Sequence, residues 1–245
     1  MHINYDRVAP TYDRHRRGGG PYLDHLIALA SQSHPRTVLE LGAGTGNNTL
    51  AFSLGYTGSQ LLCLERSAGM LRRGASKPTG AFWIQGDALQ IPLASASVDF
   101  VFSIYMLHHI RHLDVLFREC ARVLRQGCAI FVTTTHRFIR RHPMTRYFPS
   151  FAEIDTGRFQ DVSEVARELS RAGFSQVGQA VCVAEPTPVD SAYVEKVAGK
   201  FLSTFELMPP DEFESGLAQL RRDVERQGAL AEPVAWESAL VWGYR

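Results

Sequence analysis

Nowhere in the 245 residues does an apolar run approach the roughly 18 needed to cross a bilayer. The opening Met1-His2-Ile3-Asn4-Tyr5-Asp6 has no apolar signal core. A cytoplasmic protein without a membrane span is expected. Cysteine is scarce: Cys63, Cys120, Cys128 and Cys182 form no Cys-x-x-Cys pair, and three fall within apolar patterns. They read as reduced core residues, neither a disulfide frame nor a metal site, and no stretch predicts a metal requirement. Charge of one sign is also missing. A net charge of +1 exerts no general pull on nucleic acid or anionic membrane. There is no appended binding module or aromatic-basic strand face, so no nucleic-acid partner is expected. Internal repeats and low-complexity tracts are absent. What is present, 45% hydrophobic and 21% charged residues, is ordinary for a soluble globular enzyme with a sizeable core.

The stretch Val38-Leu39-Glu40-Leu41-Gly42-Ala43-Gly44-Thr45-Gly46-Asn47-Asn48 organises the chain. Val38, Leu39 and Leu41 read as a strand buried on both faces. Three alternating glycines follow, where any Cβ would hold a ligand away from the backbone. The next helix, running to about Leu54, points its free N–H groups into the same space. The spacing is Gly-x-Gly-x-Gly, without the Gly-x-Gly-x-x-Gly usual for dinucleotides.

Gln60 to Glu65 reads as a second strand ending on an acid about twenty residues past the turn. Such a carboxylate can accept from both ribose hydroxyls, or cap the next helix. Ala81 to Gln85 is a third strand, followed by Gly86-Asp87-Ala88. Asp87 can accept from an adenine amine or close an Asx turn. Val98 to Ile104 is a fourth strand, leading into Tyr105-Met106-Leu107-His108-His109-Ile110. Leu113, Leu116, Phe117, Cys120 and Leu124 then recur at helical spacing. Gly127 is expected to end that helix and open a fifth strand, Ala129 to Thr133. A helix from Asp161 to about Ala172, a strand from Phe174 to Ala184 and a last strand from Trp236 to Tyr244 follow. The alternation predicts a parallel sheet with helices on both faces.

Three segments stand outside that alternation. Residues 3–20 carry Tyr5-Asp6, Tyr12-Asp13 and a basic tract, either a loosely ordered arm or an arm folded over a ligand. Pro21 then opens a helix to about Ser33. Thr134 to Phe159 holds Arg137, Arg140, Arg141, His142, Arg146 and Tyr147, either a solvated basic loop or a clamp for an anionic group. Pro186 to Pro233, with apparent helices near 189–205 and 210–227, is apolar enough to pack as a cap. Both later segments leave the carboxyl ends of strands, where lids and substrate walls sit. The expected division is therefore 1–34 arm and helix, 35–185 core, 186–233 helical cap and 234–245 final strand.

Val38 to Gly46, Glu65, Gly86-Asp87-Ala88 and Val98 through His109 resemble, in order and spacing, the four signature regions of class I S-adenosylmethionine-dependent methyltransferases. The nearest likeness is to the small-molecule, methyltransferase type 11 branch that includes ubiquinone/menaquinone enzymes. The opening Tyr-Asp-x-x-Ala-x-x-Tyr-Asp belongs to the same pattern. The resemblance implies an α/β fold, a doubly wound seven-stranded mostly parallel Rossmann-like sheet with an antiparallel last strand and helical cap insertions. It implies S-adenosylmethionine as cofactor, leaving S-adenosylhomocysteine. By position, Gly42, Ala43 and Gly44 would line its methionine part, with Glu40 beneath the turn. Glu65 would hold the ribose, Arg66 and Met70 flank the adenine, and Asp87 and Ala88 meet its polar edge. Ser103 and Ile104 would present backbone near the sulfonium. Tyr12 and Arg16 would fold over the cofactor.

The cofactor is already activated, so the protein must chiefly align the reactants and exclude water. His108 and His109 are the candidates for a base, His109 first; alternatively both only pack the turn. Adjacent residues do not face the same way on a helix, so one of the two at most is expected at the substrate. Tyr105, Arg137, Arg141 and Tyr147 are the candidates for substrate contact. The expected partner is a small, acidic or carrier-bound molecule; a carboxyl methyltransferase acting on a carrier-bound acyl group is the alternative.

Overall fold

One sheet runs in the strand order β3-β2-β1-β4-β5-β7-β6. In the computed structural model, which describes residues 3–245, the strands are β1 (Thr37–Leu41), β2 (Gln60–Glu65), β3 (Phe82–Gln85), β4 (Val98–Ile104), β5 (Leu124–Thr133), β6 (Ser175–Val183) and β7 (Glu237–Tyr244). The helices are α1 (Tyr5–Val8), α2 (Leu23–Ser33), α3 (Asn47–Gly55), α4 (Ala68–Ala75), α5 (Leu113–Val123), α6 (His136–Arg141), α7 (Phe151–Thr156), α8 (Val162–Arg171), α9 (Ser191–Ala198) and α10 (Pro210–Gln227). β1 to β5 pair in parallel, and β7 lies antiparallel between β5 and β6. This is the doubly wound, mostly parallel sheet the alternation implies.

The side-chain period of two puts alternate residues on opposite faces. Leu39, Leu41, Val101 and Phe131 pack with Leu116, Phe117 and Leu169 of α5 and α8. Val38, Phe100, Phe102 and Ile130 pack with Leu26 and Phe52 of α2 and α3. Because both faces are covered, the centre of the sheet reads as continuous apolar runs. The order reverses between β1 and β4, so their carboxyl ends flank a crevice.

Two boundaries differ from the sequence reading. β5 begins at Leu124, directly after α5, and Gly127 lies inside it. A Cβ on Gly127 would sit 1.9 Å from the Asp99 carbonyl oxygen. This glycine answers to the close approach of β4, not to a helix end. α2 starts at Leu23, after a turn over Pro21 and Tyr22.

The two insertions share one core. Met144, Phe148 and Phe151 from the segment after β5 pack with Val194, Phe205, Phe213 and Leu220 from the segment after β6. A Cβ on Gly216 of α10 would meet the Tyr147 carbonyl at 2.4 Å, so that helix lies directly on the earlier insertion.

Candidate functional site

A cavity of about 930 Å³ opens at the carboxyl ends of β1, β2 and β4 and continues under the cap. Its inner wall is the glycine turn. Gly42, Gly44 and Gly46 all have positive φ, 67°, 59° and 75°. A Cβ on Gly42 would collide with Met106 at 2.6 Å, whereas among the described residues nothing stands within 4 Å of one on Gly44. At Gly44 the missing side chain leaves open cradle along the backbone. Glu65, at the tip of β2, accepts from Gly44 N–H at 2.9 Å and Ser67 N–H at 2.7 Å, one bond to each oxygen. Each oxygen keeps a further lone pair for a ligand hydroxyl. Arg66, Met70, Asp87, Ala88 and Ala43 line the same space. Asp87 Oδ1 closes its turn by accepting from Leu89 N–H at 2.9 Å, which leaves Oδ2 to a ligand.

The N-terminal arm forms the outer wall. Asp6 accepts from Ser67 Oγ at 2.7 Å and Gly69 N–H at 2.6 Å, at the start of α4. Asp13 accepts from Thr45 Oγ1 at 2.5 Å and Asn47 Nδ2 at 3.0 Å, and pairs with Lys77 at 3.0 Å. These bonds tie the arm to the glycine turn and α4. Tyr5, Tyr12 and Arg16 thereby reach the cavity. The Arg16 guanidinium lies 4.1 Å over the Tyr12 ring, and its Nε donates to the Phe201 carbonyl at 2.5 Å, linking arm to cap.

Tyr105, His108 and His109 line the cavity beyond β4. Tyr105 holds φ at 51°, and its hydroxyl bonds Ser238 Oγ at 2.8 Å. The histidines occupy a 3₁₀ turn, Leu107–His109, with ring centroids 3.9 Å apart. Both line the cavity, although successive residues of a 3₁₀ turn leave it about 120° apart. His109 Nε2 bonds the Tyr5 hydroxyl at 2.8 Å. His108 stacks on Phe159 at 4.2 Å, and its buried Nδ1 lacks a partner among the described residues. Burial, reinforced by His109, Arg158 and Arg16, holds its pKa well below the ordinary histidine range, so it is neutral and a poor base. Burial pushes the Tyr5 phenol well up, so that hydroxyl keeps its proton.

Five residues named for the site do not line the cavity, Glu40 among them although it lies beneath the turn as expected. Glu40 is under the turn, accepts from Thr49 Oγ1 at 2.5 Å and is 2% exposed. Burial pushes its pKa up to about 8, with the nearby Glu65 carboxylate adding to the rise. Ser103 is buried within β4 between Leu41 and Phe131, and its neighbour Ile104 takes the place at the cavity. Arg137 faces solvent and pairs with Glu237 at 3.0 Å. Arg141 is exposed at the end of α6. Tyr147 belongs to the cap core, its hydroxyl donating to Asp223 at 3.1 Å. The basic tract is thus largely a solvated face. From that insertion Arg158 does line the cavity; it pairs with Asp155 at 2.8 Å and donates to Ser203 Oγ at 2.7 Å. Asp155, Thr204 and Trp236 join it and were not singled out from sequence. Their one local signal is the i, i+3 spacing of Asp155 and Arg158.

Residues 39–132 match the family model described as a methyltransferase domain. The chain is 30% identical over 189 residues to a malonyl-[acyl-carrier protein] O-methyltransferase of Methylovorus sp. (strain MP688), covering 70% of this chain and 62% of that protein. Across three curated relatives, this one among them, the chain spans 26%, 62% and 62% of their length. Among solved structures, a putative methyltransferase from an antibiotic biosynthesis pathway of Anabaena variabilis matches with TM-score 0.74 and 23% identity, over 90% of this chain and 95% of that one. A Haemonchus contortus phosphoethanolamine-type N-methyltransferase, solved with S-adenosylhomocysteine, matches with TM-score 0.57 and 13% identity, over 100% of this chain and 60% of that one. Residues 39–132 thus resemble a methyltransferase domain, and the chain shares its fold with these solved methyltransferase structures.

Proposed function

We propose that this chain is an S-adenosylmethionine-dependent methyltransferase acting on a small molecule. The observation that carries the reading is the bare Gly44 backbone beside a Glu65 carboxylate already oriented by two N–H groups, opening into a cavity that runs on past His109 into the cap. The bound cofactor would supply a methyl group on a sulfonium, activated for in-line displacement. Gly42, Ala43 and Gly44 admit its methionine part along the backbone, and Arg16 meets that part's carboxylate. Glu65 accepts from the ribose hydroxyls. Met70 packs the adenine, Arg66 covers it, and Asp87 Oδ2 and Ala88 meet its polar edge. Neutral Glu40 braces the strand end through Thr49 without reaching the ligand.

His109 serves as the base where the acceptor atom must lose a proton. Its Nε2 is committed to Tyr5, so the proton passes to Nδ1 or through the Tyr5 hydroxyl. The arm and cap enclose the cavity and exclude water. Calorimetry with S-adenosylhomocysteine and with NADH tests the reading. Binding of NADH alone would identify a reductase and reject it. Mass spectrometry of a metabolite extract incubated with the protein and S-adenosylmethionine should show a product heavier by one methylene.

A second reading, carboxyl methyl transfer to a carrier-bound acyl group, rests on Arg158 in the cavity wall and on what the Methylovorus relative is named for. Methylation of a malonyl-carrier protein, with none in the free metabolite pool, would select it.

A further inference from the structure

The cap half of the cavity contains a buried donor that the described residues leave without a partner. His142 is 2% exposed and lines the cavity. Its ring stacks on Phe151 at 5.0 Å and lies 5.2 Å from Trp236 and 5.4 Å from Phe138. Nδ1 accepts from Met144 N–H at 3.2 Å, opening the 3₁₀ turn Pro143–Arg146. Burial lowers the histidine pKa to about 3, so the ring is neutral and carries one proton. With Nδ1 used as an acceptor, that proton is on Nε2. Nε2 has no hydrogen-bond partner among the described residues.

The neighbouring hydroxyls and charged groups of this half already have partners. Thr134 Oγ1 donates to the Glu237 carbonyl at 2.8 Å, and Ser238 bonds Tyr105. Thr204 donates to Asp155 at 2.8 Å, and Asp155 holds Arg158. A buried donor left unsatisfied is costly and calls for an explanation. An N–H held among rings is satisfied by an oxygen acceptor and disfavours a cation.

We propose that His142 Nε2–H is the recognition donor for a carbonyl or ether oxygen on a flat apolar substrate group seated among Phe138, Phe151 and Trp236. His142 is then a specificity-determining residue, and the inference rests on the methyl-transfer reading for its place in a reaction. It names the substrate class as neutral, aromatic or conjugated, with an acceptor oxygen distal to the methylated atom.

The test uses two probes of nearly equal shape, 2-acetylnaphthalene and 2-isopropenylnaphthalene, titrated by ligand-observed NMR with and without S-adenosylhomocysteine. The wild-type protein should bind the ketone about tenfold more tightly than the hydrocarbon. His142→Asn keeps an acceptor for Met144 N–H but has no group at the Nε2 position, and should bind both probes alike. Equal affinities in the wild type, binding of neither probe, or an undiminished ketone preference in His142→Asn overturns the proposal. If His142→Asn does not fold, the wild-type ¹⁵N spectrum decides: His142 Nε2 should shift on addition of the ketone and not of the hydrocarbon, and an unmoved signal overturns the proposal. Calorimetry with S-adenosylhomocysteine on the same sample separates the two readings. A ketone preference without cofactor binding would reject methyl transfer and leave this site standing.

Discussion

The two halves of the cavity are built from different parts of the chain. The sheet half is made by backbone: a glycine turn, the ends of β1, β2 and β4, and acids placed by strand length. The cap half is made by side chains from two insertions and the start of β7, brought together by a separate aromatic core. A cofactor held by backbone geometry can stay fixed while the insertions vary, so one sheet can serve many acceptors. If that division is real, damage to one half should leave the other working.

The largest effect is expected from Phe205→Ala. Phe205 is fully buried and meets Phe148, Phe151, Phe201 and Phe213 at centroid distances of 5.1, 5.7, 6.1 and 5.7 Å. Its removal should cost about 3–5 kcal/mol of stability. S-adenosylhomocysteine affinity, measured by calorimetry below the melting transition, should change less than about threefold, as for distant sites. A parallel collapse of affinity would mean that cap and sheet act as one unit. Glu65→Ala is the converse. It should lower cofactor affinity about 10- to 100-fold, as expected for lost bonds to a charged acceptor. Binding of naphthalene probes in the cap should persist. Unchanged cofactor affinity would remove the ribose role from Glu65.

The same division governs what could be read from sequence. β1, β2 and β4 were legible because burial on both faces makes continuous apolar runs, and the glycines mark where a Cβ cannot stand. Gly127 misled because a glycine excluded by a neighbouring strand looks, in sequence, like one that ends a helix. Arg137 and Arg141 were plausible anion ligands by composition, yet their helix turns them outward, Arg137 onto Glu237. Arg158 and Thr204 lie 46 residues apart and meet only because two insertions share a core, which no local pattern encodes. His142 was visible only as one member of a basic tract. Its neutral state follows from burial among rings, and burial there is a tertiary property.

A smaller effect should come from loosening the arm. Asp13→Ala removes two hydrogen bonds and the Lys77 ion pair, at a position partly open to solvent where such contacts are screened. Trypsin cleavage after Arg14, Arg16 or Arg17 should accelerate about tenfold, and cofactor affinity should fall about fivefold. In the wild type, S-adenosylhomocysteine should slow the cleavage. Equal proteolysis rates with and without it would mean that the arm does not close on the ligand, and the outer wall would then belong to neither half.

The smallest effect at neutral pH is expected at Glu40, and it separates the two acids of the sheet half. In the unfolded chain this carboxyl has its ordinary value of 4.5; in the folded protein burial raises it to about 8. The folded state therefore favours the protonated form. The stabilisation is complete below about pH 4.5 and is lost as pH rises toward 8. Glu40→Gln imitates the neutral acid at every pH. Urea unfolding midpoints measured from pH 5 to 8 should fall more steeply for the wild type than for Glu40→Gln, and equal slopes would assign the titration to another group. Because Glu40 bonds Thr49 and does not reach the cavity, S-adenosylhomocysteine affinity should change less than about twofold in this variant. A larger loss would make the buried acid a cofactor contact after all, and the sheet half would then recognise its ligand through a side chain as well as through its backbone.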